Sequence, residues 1–193
     1  MARSVPNAPR AVPDAIRSRR LGLVDYSQTY VAMRRFTDER DDATPDNLWI
    51  LEHPPVYTAG MAARVEHFPR RSGIPLARVD RGGQITYHGP GQAVVYALVD
   101  LARRGVGVRG MVRLIERAVI DVLAAHRVRG ELRSGAPGVY VEGAKVAALG
   151  LRVRRGCCYH GVALNVVMDL TPFSDIDPCG YPGLAVTQTS ALG

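Results

Sequence analysis

Residues 81–92, Arg-Gly-Gly-Gln-Ile-Thr-Tyr-His-Gly-Pro-Gly-Gln, constrain the fold more than any other stretch of this 193-residue chain. Four glycines in this span allow positive φ and close approach of another group to the backbone. Gln84 to His88 has the β-branched and aromatic content of a short strand, and Gln92 to Leu101 continues as a more apolar one. A glycine turn, a short strand and a rigid turn make a good wall for a substrate pocket. An ordinary hairpin with a tight corner would use the same Gly-Pro-Gly. The polar groups Arg81, Thr86 and His88, set among glycines where no core needs them, favour the pocket.

The net charge of +7 rests on 25 Lys and Arg residues, all of them arginine except Lys145. Most arginines then reflect a compositional habit and need no special role. The single lysine stands where arginine does not serve, because an amine exchanges protons at useful pH and a guanidinium does not. A basic surface suits an acidic partner. Zinc-finger spacing and an aromatic-rich RNA-binding signature are missing, so nucleic acid is not expected as a partner. No apolar run approaches the roughly 18 residues of a membrane span, which argues for a cytoplasmic protein without membrane contact. Three cysteines, two of them adjacent, do not make a disulfide framework and fit a reducing compartment.

Residues 1–20 are Pro-, Ala- and Arg-rich and are expected to be a disordered leader before a domain spanning 21–193. A first strand is expected over Leu21 to Asp25. Ser27 is then the expected cap of a helix reaching about Arg40, with Tyr30, Met33 and Phe36 buried. Asn47 to Glu52 reads as a strand and Gly60 to Ile74 as a mobile loop. Arg109 to His126 is the most periodic helix, with Met111, Ile115, Ala118, Val119, Val122 and Leu123 on one face. Beyond Gly138 the pattern is strands: Val139 to Val141, a turn at Glu142-Gly143, Ala144 to Val153, then His160 to Leu170. Strands in both halves with two long helices imply an α/β (α+β) domain with a mixed, mostly antiparallel sheet.

Cys179 lies between Pro178 and Gly180, on a stiff turn suited to presenting a thiol. Cysteine nucleophiles act as thiolates and need a nearby positive charge to lower a pKa near 8.5, which Lys145 could supply. Cys157, Cys158, His160 and Cys179 could be grouped as a zinc set. Vicinal cysteines chelate one tetrahedral ion poorly and no second Cys-x-x-Cys completes the set, so no metal is expected. His160 is expected to pack at a strand start, and Cys157 and Cys158 to be packing residues.

Six motifs, in order, resemble the octanoyltransferases of lipoate synthesis, the LipB family. They are residues 81–92, Glu52-His53-Pro54-Pro55-Val56-Tyr57-Thr58, Gly135 to Val141, Ala144 to Gly150, His160 to Asn165, and Pro178-Cys179-Gly180. The resemblance covers about Leu21 to Gln188. It implies the biotin/lipoate protein ligase-like fold and transfer of octanoyl from acyl carrier protein to a lysine of a lipoyl domain. Acceptors in the family are lipoyl domains of 2-oxoacid dehydrogenases and the glycine cleavage H protein. By the family's pattern Cys179 is the nucleophile and Lys145 lowers its pKa and exchanges protons. Substrate-binding segments would be Arg81, Gly82, Gly83, Gln84, Ile85, Thr86, Tyr87 and His88, then Ala148, Leu149 and Gly150, then Gly161, Val162 and Ala163. Family members are expected to continue beyond the position of Gly193 into another helix.

The residues agree with this chemistry. Exchange of one thioester for another is nearly balanced and aminolysis to an amide is downhill, so no ATP, and no other cofactor, is called for; a phosphate-binding loop is not recognisable. Two other readings stay open: an ATP-dependent ligase of the same fold, and an inactive module that binds the acidic carrier.

Overall fold

A computed structural model describes residues 16–69 and 73–192. The chain runs β1 (Arg17–Leu23), α1 (Tyr26–Glu39), β2 (Asn47–Glu52), β3 (Val56–Ala59), β4 (Leu76–Arg78), β5 (Ile85–His88), β6 (Gln92–Asp100), α2 (Val108–Ala125), β7 (Gly138–Val141), β8 (Ala144–Arg154) and β9 (Cys157–Asn165). Short 3-10 turns follow, among them Thr171–Asp175 and Pro178–Gly180. A six-stranded sheet has the order β1-β2-β6-β9-β8-β7, and a three-stranded sheet the order β4-β3-β5. Only β1 with β2 and β3 with β4 pair in parallel, so the sheets are mixed and mostly antiparallel.

The two helices cover opposite faces of the large sheet because its central strands alternate. Val94, Tyr96 and Leu98 of β6 pack with Met33 of α1, beside Trp49 and Tyr159. Ala97 and Val99 pack with Cys158, Met111 and Ile115 on the other side. Val119 and Leu123 of α2 meet Val139, Ala147 and Val162 there. Successive side chains point to opposite faces, so one strand feeds both cores. The expected apolar face of α2 needs correction: Val122 and Ala118 are exposed, and Ile120 packs instead.

Three boundaries also differ from expectation. Arg17 to Arg20, assigned to a disordered leader, belong to β1; residues 1–15 lie outside the described residues. The expected strand at Leu21 to Asp25 overlaps β1 only through Leu23; the exposed Arg17 to Arg20 carry no apolar pattern and are held by the parallel ladder to β2. Asp25, not Ser27, caps α1: its Oδ1 accepts from Gln28 N at 2.9 Å. β9 begins at Cys157, before His160, and ends at Asn165. The expected loop 60–74 contains a 3-10 turn at Val65–His67, and its start is tied down: Gly60 N donates to Gln84 O at 3.0 Å. Arg70 and Arg71 lie outside the described residues.

Candidate active site

A cleft of about 430 Å³ opens between the two sheets and the start of α2. β8 and β9 form its floor, where Ala148 pairs with Ala163 and Gly150 with Gly161. These small side chains leave the space that larger ones would fill. Gly161 is fixed further by its neighbour strand: a Cβ there would fall 2.1 Å from Val95 O.

Cys179 stands in this cleft on the turn Pro178–Gly180, in a left-handed conformation with φ 57° and ψ 16°. Such geometry is uncommon outside glycine and marks a position held by its surroundings. Lys145, at the head of β8, is 4% exposed and donates from Nζ to Cys179 Sγ at 3.0 Å and to Pro137 O at 3.0 Å. Its ammonium also lies 5.2 Å from the centre of the Tyr140 ring. Burial alone would lower the Lys145 pKa. The charge and hydrogen bond of the Cys179 sulfur, joined by Tyr140, outweigh that and raise it, so the side chain is an ammonium. The segment after Cys179 fixes the lysine's backbone: Lys145 N donates to Ala185 O at 2.8 Å, and Thr187 N to Lys145 O at 2.9 Å.

Arg81 is almost wholly buried at the cleft wall. Its Nη2 donates to Thr58 O at 2.6 Å and Thr58 Oγ1 at 2.9 Å, and Nη1 to Gly82 O at 3.0 Å. Burial lowers its pKa; the nearby Tyr26 and Cys179 partly offset this. His88 Nε2 lies 3.3 Å from Thr58 Oγ1, and its Nδ1 is 2.7 Å from Gln92 Oε1. Gln92 in turn donates to Asn165 Oδ1 at 2.9 Å, and Asn165 donates to Thr187 O at 2.9 Å. One polar chain thus runs from the arginine to the segment bracing Lys145. Burial pushes His88 down to about 3, with His53 adding to the effect, so its imidazole is neutral.

Of the residues singled out from sequence, Arg81, Gly82, Gly83, Gln84, Ile85, Thr86 and His88 line the cleft, as do Lys145, Ala148, Leu149, Gly150, Gly161, Val162, Ala163 and Cys179. Tyr87 does not. Strand alternation turns it away from Thr86 and His88, and its ring packs on Tyr57 and Phe173.

His160 is also placed differently from expectation. It sits within β9, and its φ of 62° breaks the alternation that would point it, like Cys158 and Val162, toward α2. The ring instead stacks on Tyr30 and Tyr159 and lines the cleft. Its Nε2 is 3.2 Å from Asp80 Oδ1. Burial would raise the Asp80 carboxyl, but hydrogen bonds with His160, Tyr159 and Tyr30 hold it well below the usual carboxylate range.

Sequence reading also missed Tyr26 and Tyr96, whose buried rings line the cleft. Helical and strand periodicity mark both as core, and no sequence signal separates a core tyrosine from one that faces a cleft. Cys157 and Cys158 are buried packing residues, and burial pushes the Cys158 thiol up to about 11. Among the described residues no group of three or more His, Cys, Asp or Glu is placed to hold a metal ion. No described helix is long and apolar enough to cross a membrane.

The sheets and helices that frame this cleft share their fold with lipoate and biotin protein ligases. A putative lipoate protein ligase from Thermoplasma acidophilum with bound lipoic acid superposes with a TM-score of 0.70 at 18% identity, covering 91% of this chain and 76% of that one. Biotin protein ligase from Aquifex aeolicus, in complex with biotin and ATP, gives 0.55 at 10% identity over 91% and 60% of the two chains. At such identities the likeness shows the fold alone.

Sequence comparison narrows the class. Residues 25–191 match the lipoyl protein ligase A/B catalytic domain. The octanoyltransferase of Aromatoleum aromaticum is 60% identical over 189 residues, 97% of this chain and 82% of that protein. That of Thiobacillus denitrificans is 59% identical over 185 residues, 95% and 85% of the two chains. This chain belongs to the lipoyl protein ligase A/B catalytic-domain family and, within it, to the octanoyltransferases, a family of acyltransferases.

Proposed function

We propose that this chain moves an octanoyl group from the thioester of acyl carrier protein to the acceptor lysine of a lipoyl domain, through an acyl-Cys179 intermediate. The observation that carries this reading is the 3.0 Å contact of Lys145 Nζ with Cys179 Sγ inside a cleft walled by small and apolar residues. An ammonium at that distance stabilises a thiolate, the nucleophilic form of cysteine.

In the first half, Sγ attacks the donor's thioester carbonyl and the carrier's thiolate departs, taking a proton from the Lys145 ammonium. Lys145 is then neutral. In the second half, a neutral lysine amine of the lipoyl domain attacks the acyl-Cys179 carbonyl. Its surplus proton passes to Lys145, the amide forms and the Cys179 thiolate is restored. Proton and charge return to their starting places, and no nucleotide is consumed.

The floor of Ala148, Gly150, Gly161 and Ala163 takes the acyl chain, each buried methylene contributing about 0.8 kcal/mol. Arg64, Arg109, Arg133 and other exposed arginines give the +7 chain a surface that attracts an acidic carrier.

Intact-protein mass after incubation with octanoyl-acyl carrier protein, without ATP, tests the proposal. An octanoyl adduct is expected on the wild-type chain and not on Cys179→Ala. A folded wild-type chain that acquires no adduct, or that transfers octanoate only when ATP is added, would overturn it.

A further inference from the structure

Cys179 has φ 57° and Gly180 φ 75°, so two successive residues of this turn are left-handed. For Cys179, which carries a Cβ, that conformation is strained and persists only where neighbours impose it. Lys145 meets the sulfur, and the turn itself is gripped from its other end, at Asp177. The Asp177 carbonyl closes the turn by accepting from Gly180 N at 2.8 Å. Asp177 N donates to His67 O at 3.4 Å, and Asp177 Oδ2 lies 3.0 Å from His67 Nδ1. An ionised carboxylate only accepts, so Nδ1 carries the hydrogen and donates it. The two side chains are 12% and 10% exposed, so water competes little for this bond. His67 thus holds the head of the turn through backbone and side chain together.

The segment that carries His67 is itself anchored. Gly60 N, Met61 N and Ala62 N donate to Gln84 O, Arg81 O and Gly83 O at 3.0, 3.0 and 3.1 Å, on the cleft wall. Past the 3-10 turn Val65–His67, Phe68 packs in one cluster with Phe173 and Ile176, just before Asp177. This stretch therefore runs from the substrate wall to the Cys179 turn and is fixed at both ends. We propose that His67 is a positioning residue for the acyl transfer. By donating to Asp177 it keeps the Cys179 turn left-handed, with Sγ set toward Lys145 Nζ and the cleft. His67 does not line the cleft and acts through Asp177. Displacing a reacting atom by about 1 Å costs on the order of 100-fold in rate, so a loosened turn is felt in the chemistry. The inference deepens the acyl-Cys179 reading above and rests on it.

His67→Asn and His67→Leu separate the donated hydrogen bond from bulk. An Asn amide places an N–H near the position of Nδ1, whereas Leu fills similar space without a donor. Two rates are measured on each variant. One is single-turnover acylation by octanoyl-acyl carrier protein, followed by intact mass over a range of carrier concentrations. The other is alkylation of Cys179 by iodoacetamide. His67→Leu is expected to lower the saturating acylation rate at least about 10-fold and to slow alkylation as well, with the half-saturating carrier concentration within about threefold of wild type. His67→Asn is expected to recover most of both rates. If His67→Leu does not fold, His67→Ala, which adds no bulk, is read in its place. Wild-type rates in the Leu variant would overturn the proposal. So would an Asn variant as slow as the Leu variant, or a rate lost only through weaker carrier binding. A wild-type chain that is alkylated but never acylated would sink the acyl-enzyme reading instead, and the alkylation rates of the two variants would still decide the role of His67.

Discussion

Lys145 Nζ lies 3.0 Å from Cys179 Sγ although 34 positions separate the two residues along the chain. The lysine comes from a strand end and the cysteine from a left-handed turn, and the 185–187 segment that follows the turn is hydrogen-bonded to the lysine's backbone. The strand supplies rigidity and the turn supplies exposure of the sulfur to the cleft.

Lys145→Arg tests whether charge alone is enough. A guanidinium keeps the positive charge beside Cys179 but cannot lose a proton at working pH. Octanoyl transfer is expected to fall at least about 100-fold, with a thermal midpoint near that of the wild type. Near-normal turnover would remove Lys145 from proton transfer.

Cys158→Ala should separate packing from chemistry. Its sulfur is fully buried, donates to Ala97 O at 3.3 Å, and carries a thiol pushed up to about 11 by burial. The variant is expected to lose about 1 kcal/mol of stability in urea unfolding and to keep its transfer rate. A folded Cys158→Ala protein with no activity would move suspicion from Cys179 to the vicinal pair.

Ala148→Leu should shorten the acyl chain the cleft prefers. Ala148 faces Ala163 across the β8–β9 ladder, and both line the floor. Displacing two methylenes of an eight-carbon chain forfeits about 1.6 kcal/mol, or roughly 15-fold in kcat/KM. Competition between octanoyl and hexanoyl donors measures this; an unchanged ratio would place the chain elsewhere.

Stability should fall on the acid side of pH 6.5. Unfolded, His88 takes up a proton near its ordinary 6.5, whereas burial in the fold delays protonation to about 3. The unfolded state therefore binds more protons between these values. Stability is full above about 6.5 and declines as pH falls toward 3, by up to about 1.4 kcal/mol per unit for this one group. His53 and His160 are lowered by burial in the same direction. His88→Gln is expected to shrink the difference in urea midpoint between pH 7 and pH 5, and an unaltered difference would show that His88 is protonated in the fold.

Local pattern alone made much of the chain legible. β-branched and aromatic content marked β5, a more apolar run marked β6, an apolar stripe marked α2, and Glu142-Gly143 marked the turn between β7 and β8. The glycine-rich stretch at 81–92 and the lone lysine pointed to the cleft because their residue types are costly or unusual wherever they stand. Elements held by distant partners left no such mark. The first half of β1, Arg17 to Arg20, exposes its side chains and exists through hydrogen bonds to β2, so it resembles a polar tail, and the sequence marks the strand only from Leu21. The turn of His160 into the cleft depends on one backbone angle within a strand and on the rings of Tyr30 and Tyr159 that receive it. By itself the sequence singled out the candidate residues Cys179, Lys145 and the glycines of 81–92, since thiol, amine and glycine act through their own atoms. Only the tertiary structure decided which of them meet, because a 3.0 Å contact across 34 residues is set by the packing of two sheets and not by spacing along the chain.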